Sequence, residues 1–167
     1  MEIYILYLVS RFATVDTYTR MFQYKILNNI LFLNDKLFHL HLVQSPFCSL
    51  CKNKKESVQH LFFECPISKS LWYALQSHLR GHHALKDLTS HSAVFGFISE
   101  FSDKNNIDNH ILLIFKIFLF KNRTYNPTLN LLLARIKNIA KIEGQLCFTE
   151  KQRVRYNQKW GFLDNLD

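Results

Sequence analysis

Apolar residues recur along most of this chain at steps of three and four, the period of a helix with one buried face. The first clear run opens at Asp16 or Thr17, either of which can cap a helix, and sets Phe22, Ile26, Ile30, Leu33 and Leu37 on one stripe. Tyr24, Leu27 and Leu31 widen that stripe, which predicts packing on more than one side. Pro66 suits the first turn of a second helix, because its missing N–H would be unpaired there anyway. Leu71, Trp72, Leu75 and Leu79 form the inner face of that helix, and Gly81 reads as its stop. Ile111 to Phe120 is apolar nearly all round, as a central core helix should be. Asn126-Pro127 predicts a further start, with Leu129, Leu132, Leu133, Ile136, Ile139 and Ala140 inward and Gly144 as its end. Thr149 to Gln152 has the spacing of a capping box and opens a last, basic helix, after which Trp160 and Phe162 return to the core.

The intervals are less regular. Residues 1–15 fit a short strand or the tail of a helix. GHHALKDLTSHS (Gly81 to Ser92) and SDKNNID (Ser102 to Asp108) read as loops, and Val94 to Phe101 is ambiguous between strand and helix. His82 and His83 are adjacent and so point apart, which makes them loop residues rather than a metal pair. With four glycines and three prolines in 167 residues, a turn-rich β-sandwich is disfavoured. The length suits one domain, and 48% hydrophobic content with fifteen phenylalanines supplies a core. The apolar opening IYILYLV lacks a basic leader and a cleavage site, and the run to Phe120 is too short to span a bilayer and carries Lys116.

One polar-edged stretch changes the picture. CSLCKNKKESVQHLFFEC has the spacing C-x2-C-x8-H-x4-C through Cys48, Cys51, His60 and Cys65. Two thiolates two residues apart grip one side of a small cation, and the imidazole and third sulfur close the other. That is a full tetrahedral set for Zn²⁺ with no position left for water, so the expected ion is structural. Cys48 and Cys51 could instead be small core residues or a redox pair, but a redox pair needs a neighbouring βαβ pattern that is not visible. His39 and His41 stand close upstream and could replace His60, but read first as surface or partly packed histidines. Cys147 reads as a buried small residue, and the cysteine usage indicates a reducing compartment.

The expected fold is therefore all-α, a small helical bundle with a zinc knuckle joining two helices. Its parts are a helix–knuckle–helix module over 16–80, a loop-rich connector over 81–109 and a basic helical region over 110–167 packed on the same core.

Charge adds a partner. The net charge is +8, and between Lys121 and Lys159 nine Lys or Arg stand against Glu143 and Glu150, so nearly all of the excess lies in the last quarter. A localised basic surface is the footprint of a polyanion, usually nucleic acid; the plainer reading is a solvated basic helix face. The expected contacts are Arg135, Lys137, Lys141, Lys151, Arg153 and Arg155, with Lys52, Lys54 and Lys55 beside the metal. Such contacts give affinity with little choice of sequence.

The run from Arg20 to Trp72 resembles the zinc-binding region downstream of the polymerase in LINE-type (non-LTR) retrotransposon reverse transcriptases. Phe22, Gln23, Ile26, Leu27, Asn28, Cys48, Cys51, His60, Leu61, Phe62, Cys65 and Trp72 carry the likeness, which covers about a third of the chain. The resemblance implies a helical zinc module that contacts template RNA or target DNA while an upstream reverse transcriptase domain works. It carries the four metal ligands onto the residues already named. The chain is then expected to be a fragment or remnant of an element, intracellular in nucleus or cytoplasm, with no membrane partner. Paired aspartates in strand context, needed to hold catalytic Mg²⁺, are not found, so the expected module is not an enzyme. The alternative is a structural or protein-interaction module in which zinc serves folding alone.

Overall fold

The computed structural model describes residues 10–80, 83–97 and 103–165. The expected stop at Gly81, the histidine at 82, the strand-or-tail reading of 1–9 and the ambiguous stretch over 98–101 lie outside the described residues. Within them the chain is all-α: residues 10–13 are helical, and no strand forms beyond one isolated antiparallel bridge between Phe47 and Lys55. The named helices are α1 (Thr17–Leu27), α2 (Asn34–His39), α3 (Pro66–Leu79), α4 (Ser90–Phe95), α5 (Asp103–Asn122), α6 (Leu129–Gln145) and α7 (Glu150–Trp160). A five-residue π turn (His60–Glu64) precedes α3, and a 3₁₀ turn (Gly161–Asn165) follows α7.

Helix α5 is the axis of the bundle. Ile111 to Phe115, together with Lys116, Ile117, Phe118 and Leu119, is buried without interruption, so this helix is enclosed on every side. Helices α1, α6 and α7 and the π turn pack around it. Trp72 of α3 meets the edge of Phe115 with ring centroids 5.0 Å apart. Phe22 of α1 meets both Phe120 and Phe62 edge-on. Trp160 is buried and Phe162 stacks on His83, so the tail does return to the core.

Several starts and stops differ from expectation. The stripe from Phe22 to Leu37 is two helices, not one. Asn29 takes a left-handed φ of 52°, the Ile30 N–H bonds back to Lys25 O and the Asn29 N–H to Ile26 O, which closes a Schellman end. Asparagine tolerates that conformation, and the Asn28 side chain also donates to Tyr24 O. Ile30 is consequently exposed, while Leu31 and Leu33 turn inward. Thr89 and Ser92 form a reciprocal capping box that opens α4 inside the supposed loop. Helix α5 begins at Asp103, so most of the Ser102–Asp108 loop is helix. The reason is that Asp108, Asn109 and His110 are buried polar residues, two of them with dedicated partners. Asp108 meets His83 at 2.6 Å, and the Asn109 amide bonds both N–H and C=O of Phe97. Thr128, not Asn126, caps α6; Pro127 is buried near the α3 side chains rather than starting the helix. Helix α6 runs through Gly144, where a Cβ would lie 3.0 Å from the ring of Tyr156, so that glycine admits an aromatic instead of ending the helix.

Lys116 is the anomaly of the core. Its ammonium is fully buried and donates to Gln23 Oε1 at 2.6 Å, and Gln23 Nε2 donates on to Val94 O. Burial pushes the Lys116 amine from 10.5 down to about 7. Between those values the unfolded chain binds more protons than the folded one, so stability rises with pH across the window from about 7 to 10.5. The expected gain is on the order of 3–5 kcal/mol. Urea unfolding at both ends of the window checks it, and a Lys116→Met variant should lose most of the rise, keeping the part that the burial-lowered Lys159 supplies.

Candidate metal centre

The knuckle is built by backbone bonds before any metal is considered. Cys48 N–H donates to Lys54 O at 2.7 Å, Lys52 N–H to Cys48 O at 2.9 Å, and Glu56 N–H to Pro46 O at 2.8 Å. Lys52 sits at a left-handed φ of 59°, which lets so short a loop reverse. His60 opens the π turn, and Cys65 N–H closes it by bonding to His60 O at 2.8 Å. Single π turns of this kind occur frequently at functional sites. Cys65 is extended, as a residue before proline must be, and its carbonyl accepts the first bond of α3 from Lys69.

These segments bring Cys48, Cys51, His60 and Cys65 together, with one donor atom from each lying within 4.8 Å of every other. Cys48 and Cys65 sulfurs are 4.0 Å apart, and Cys51 Sγ is 3.2 Å from His60 Nε2. Tetrahedral Zn–S bonds of 2.3 Å require S···S edges of about 3.7 Å, so the cluster has the size of one zinc ion. The far ring nitrogen, Nδ1, faces Glu64 Oε2 at 3.7 Å, and Glu64 is in turn bonded by Gln59. At that distance Nδ1 has no hydrogen-bond partner, and the carboxylate acts on the ring by its charge alone. The Cys48 thiol's hydrogen bond holds Cys65 below the usual thiol range, against burial, with the Ser68 and Ile67 amides of α3 helping. Cys48 is pushed up by that same bond and by its burial, while the amides of Cys51 and Leu50 pull it down. Three sulfurs and one imidazole fit structural Zn²⁺, which the four side chains would hold between the π turn and the Pro46–Glu56 loop. A closed four-ligand site leaves no coordination position for substrate.

Behind the metal stands a residue that sequence reasoning missed. Glu56 is completely buried and accepts N–H bonds from Asn34 (3.1 Å), at the start of α2, and Ser49 (2.7 Å). Arg123 Nε lies 3.2 Å from the same carboxylate, and its guanidinium covers the Phe120 ring. Glu56 thus joins the knuckle, α2 and the end of α5. Following three lysines in a polar loop, it gave no sign of burial. The His83–Asp108 pair was equally hidden, because its members lie 25 residues apart.

The remaining candidates separate. His39 is exposed and 3.9 Å from Asp35, and His41 is exposed, so neither joins the cluster. Lys52, Lys54 and Lys55 are exposed; Lys54 lies 3.8 Å from Glu64 and Lys55 3.9 Å from Asp35. Arg135, Lys137 and Lys141 are exposed on α6, and Lys151, Arg153 and Arg155 on α7. Cys147 is half-buried and outside the cluster.

Residues 12–72 match the model of the family described as zinc-binding in reverse transcriptase. No curated protein and no solved structure matches the chain.

Two outcomes are expected of this centre. Purified protein carries one zinc per chain by mass spectrometry, and Cys51→Ser abolishes that stoichiometry. Chelation raises amide exchange over about 40–75 while α5 and α6 stay protected, because their core does not involve the ion; global unfolding would contradict this. Separately, Glu56→Ala leaves Arg123 and two amides without their partner and should cost about 3–5 kcal/mol in urea unfolding at neutral pH.

Proposed function

We propose that this chain is a non-catalytic, zinc-braced module that binds nucleic acid through phosphate contacts and serves a reverse transcriptase of the LINE type. The observation that carries it is the joint occurrence of two features. One is the match to a zinc-binding family of reverse transcriptases over the segment that supplies all four donors. The other is the cluster of cations that the fold leaves outward. Among the nine Lys and Arg between 121 and 159, Lys121 lies over Tyr18, Arg123 on Glu56 and Lys159 on Glu143, and Arg135 faces the charge of Asp16. The six on α6 and α7 are exposed, and Lys159 answers the charge of Glu143. A surface of this composition attracts a polyanion without reading its sequence. The polymerase chemistry belongs, in this reading, to an upstream domain of the same polyprotein, working on template RNA or target DNA in nucleus or cytoplasm. No described helix is long and apolar enough to cross a membrane.

A purely structural role has one observation in its favour: Lys54 and Lys55 stand beside acids of their own chain. Charge reversal separates the two. Affinity for an oligonucleotide, by fluorescence anisotropy, should fall at least tenfold between about 50 and 300 mM NaCl, as counterion release at several phosphates requires. The triple variant Arg135→Glu, Lys137→Glu, Lys141→Glu should lose at least another tenfold at low salt. Salt-independent binding, or full retention by the triple variant, favours the structural module.

A further inference from the structure

Two adjoining cavities, of about 460 and 330 Å³, run along α6 beside residues 11–16. Thr14, Val15, Glu143 and Leu146 line both, which makes them two halves of one groove. Each has the volume of a small-molecule site. The larger half is walled by aliphatic side chains, Ile114, Ile117, Ile139 and Ile142. The smaller includes the aromatic rings of Phe12 and Tyr156, the latter packed closely against Gly144. Three exposed guanidinium groups line the groove, Arg11 and Arg155 in the smaller half and Arg135 in the larger, where the exposed Asp16 carboxylate faces Arg135 and leaves the smaller half the more cationic.

Polar groups are also present at depth. His110 is buried, and its Nδ1 has no hydrogen-bond partner; it lines the larger half 3.7 Å from Glu143 Oε1. Glu143 is held in place by Lys159 and by the indole N–H of Trp160. The groove therefore offers apolar and aromatic walls, hydrogen-bonding groups inside and cations where it opens. That is the complement of a nucleotide: a base with flat apolar faces and a polar edge, joined to an anionic phosphate.

We propose that this groove seats one unpaired base of a single-stranded nucleic acid, with Phe12 and Tyr156 against the base and Arg11, Arg135 and Arg155 on the flanking phosphates. The inference rests on the nucleic-acid reading above and specifies its substrate class. A base within a duplex is covered on both faces by its neighbours and cannot enter; an unpaired one can.

The test uses the full, zinc-loaded chain and three probes: a single-stranded thymidine oligomer of about 12 nucleotides, its duplex, and an abasic oligomer of equal length and charge. The thymidine strand should bind about 5–100-fold more tightly than the abasic one, the range that stacking of one base supplies. Phe12→Ala, at an exposed position, should remove most of that difference, and Arg155→Gln should weaken both single strands alike. Cys147 lines the groove, so its alkylation by iodoacetamide should slow when the thymidine strand is bound and not when the duplex is added. Equal affinity for the base-bearing and abasic strands, with Cys147 unprotected, would overturn the base site and leave phosphate binding standing, the groove then being free for an apolar peptide segment. Absence of binding to all three probes would overturn both.

Discussion

Four donor atoms converging on one cation give shape to a part of the chain that burial alone cannot order. Between Leu40 and Lys55 most side chains face solvent, Leu40, Leu42 and Phe47 among them. Such a segment loses backbone entropy on ordering without the apolar burial that usually offsets it. The metal ligands and the Glu56 carboxylate replace that burial with a few strong, directional contacts. The segment in turn sets Leu61, Phe62 and Cys65 into the core beside Phe22 and starts α3 from Pro66. Zinc therefore acts on the position of α3 relative to α1 rather than on either helix by itself.

The parts of this arrangement that were legible in the sequence are those where chemistry or period is local. C-x2-C-x8-H-x4-C states a ligand set because coordination number and soft donors leave few other uses for that spacing. Ile111 to Phe120 could be placed at the centre because a helix apolar on all faces has nowhere else to go. The Thr149–Gln152 box is present as expected, since it depends on residues only three apart.

What stayed hidden depends on partners remote in sequence. DKNNID looks like a loop until His83 and the Phe97 backbone are seen to satisfy Asp108 and Asn109. Glu56 looks solvated until Asn34, Ser49 and Arg123 arrive. The hydrophobic stripe through Ile30 suggested continuity because periodicity ignores the conformational preference of two consecutive asparagines. Lys116 was visible as a charge within an apolar run, but its amide partner Gln23 lies 93 residues earlier.

The two groups of cations differ in surroundings, and this decides where a polyanion would be drawn. On the knuckle, Lys54 and Lys55 stand beside Glu64 and Asp35, exposed pairs that contribute little stability but lower the local positive potential. On α6 and α7 one acid, Glu143, is turned inward to Lys159 and Trp160, and against the six exposed cations there stands the exposed Glu150. A polyanion is thus attracted more strongly by the later helices than by the metal loop. The knuckle still reaches that surface through the scaffold: Glu56 grips Arg123 at the end of α5, and α6 packs along α5. That link ends at the Glu56–Arg123 pair, and the burial of α5 and α6 against each other does not pass through the metal donors, so the exposed cations of the later helices keep their support whether or not the ion is bound.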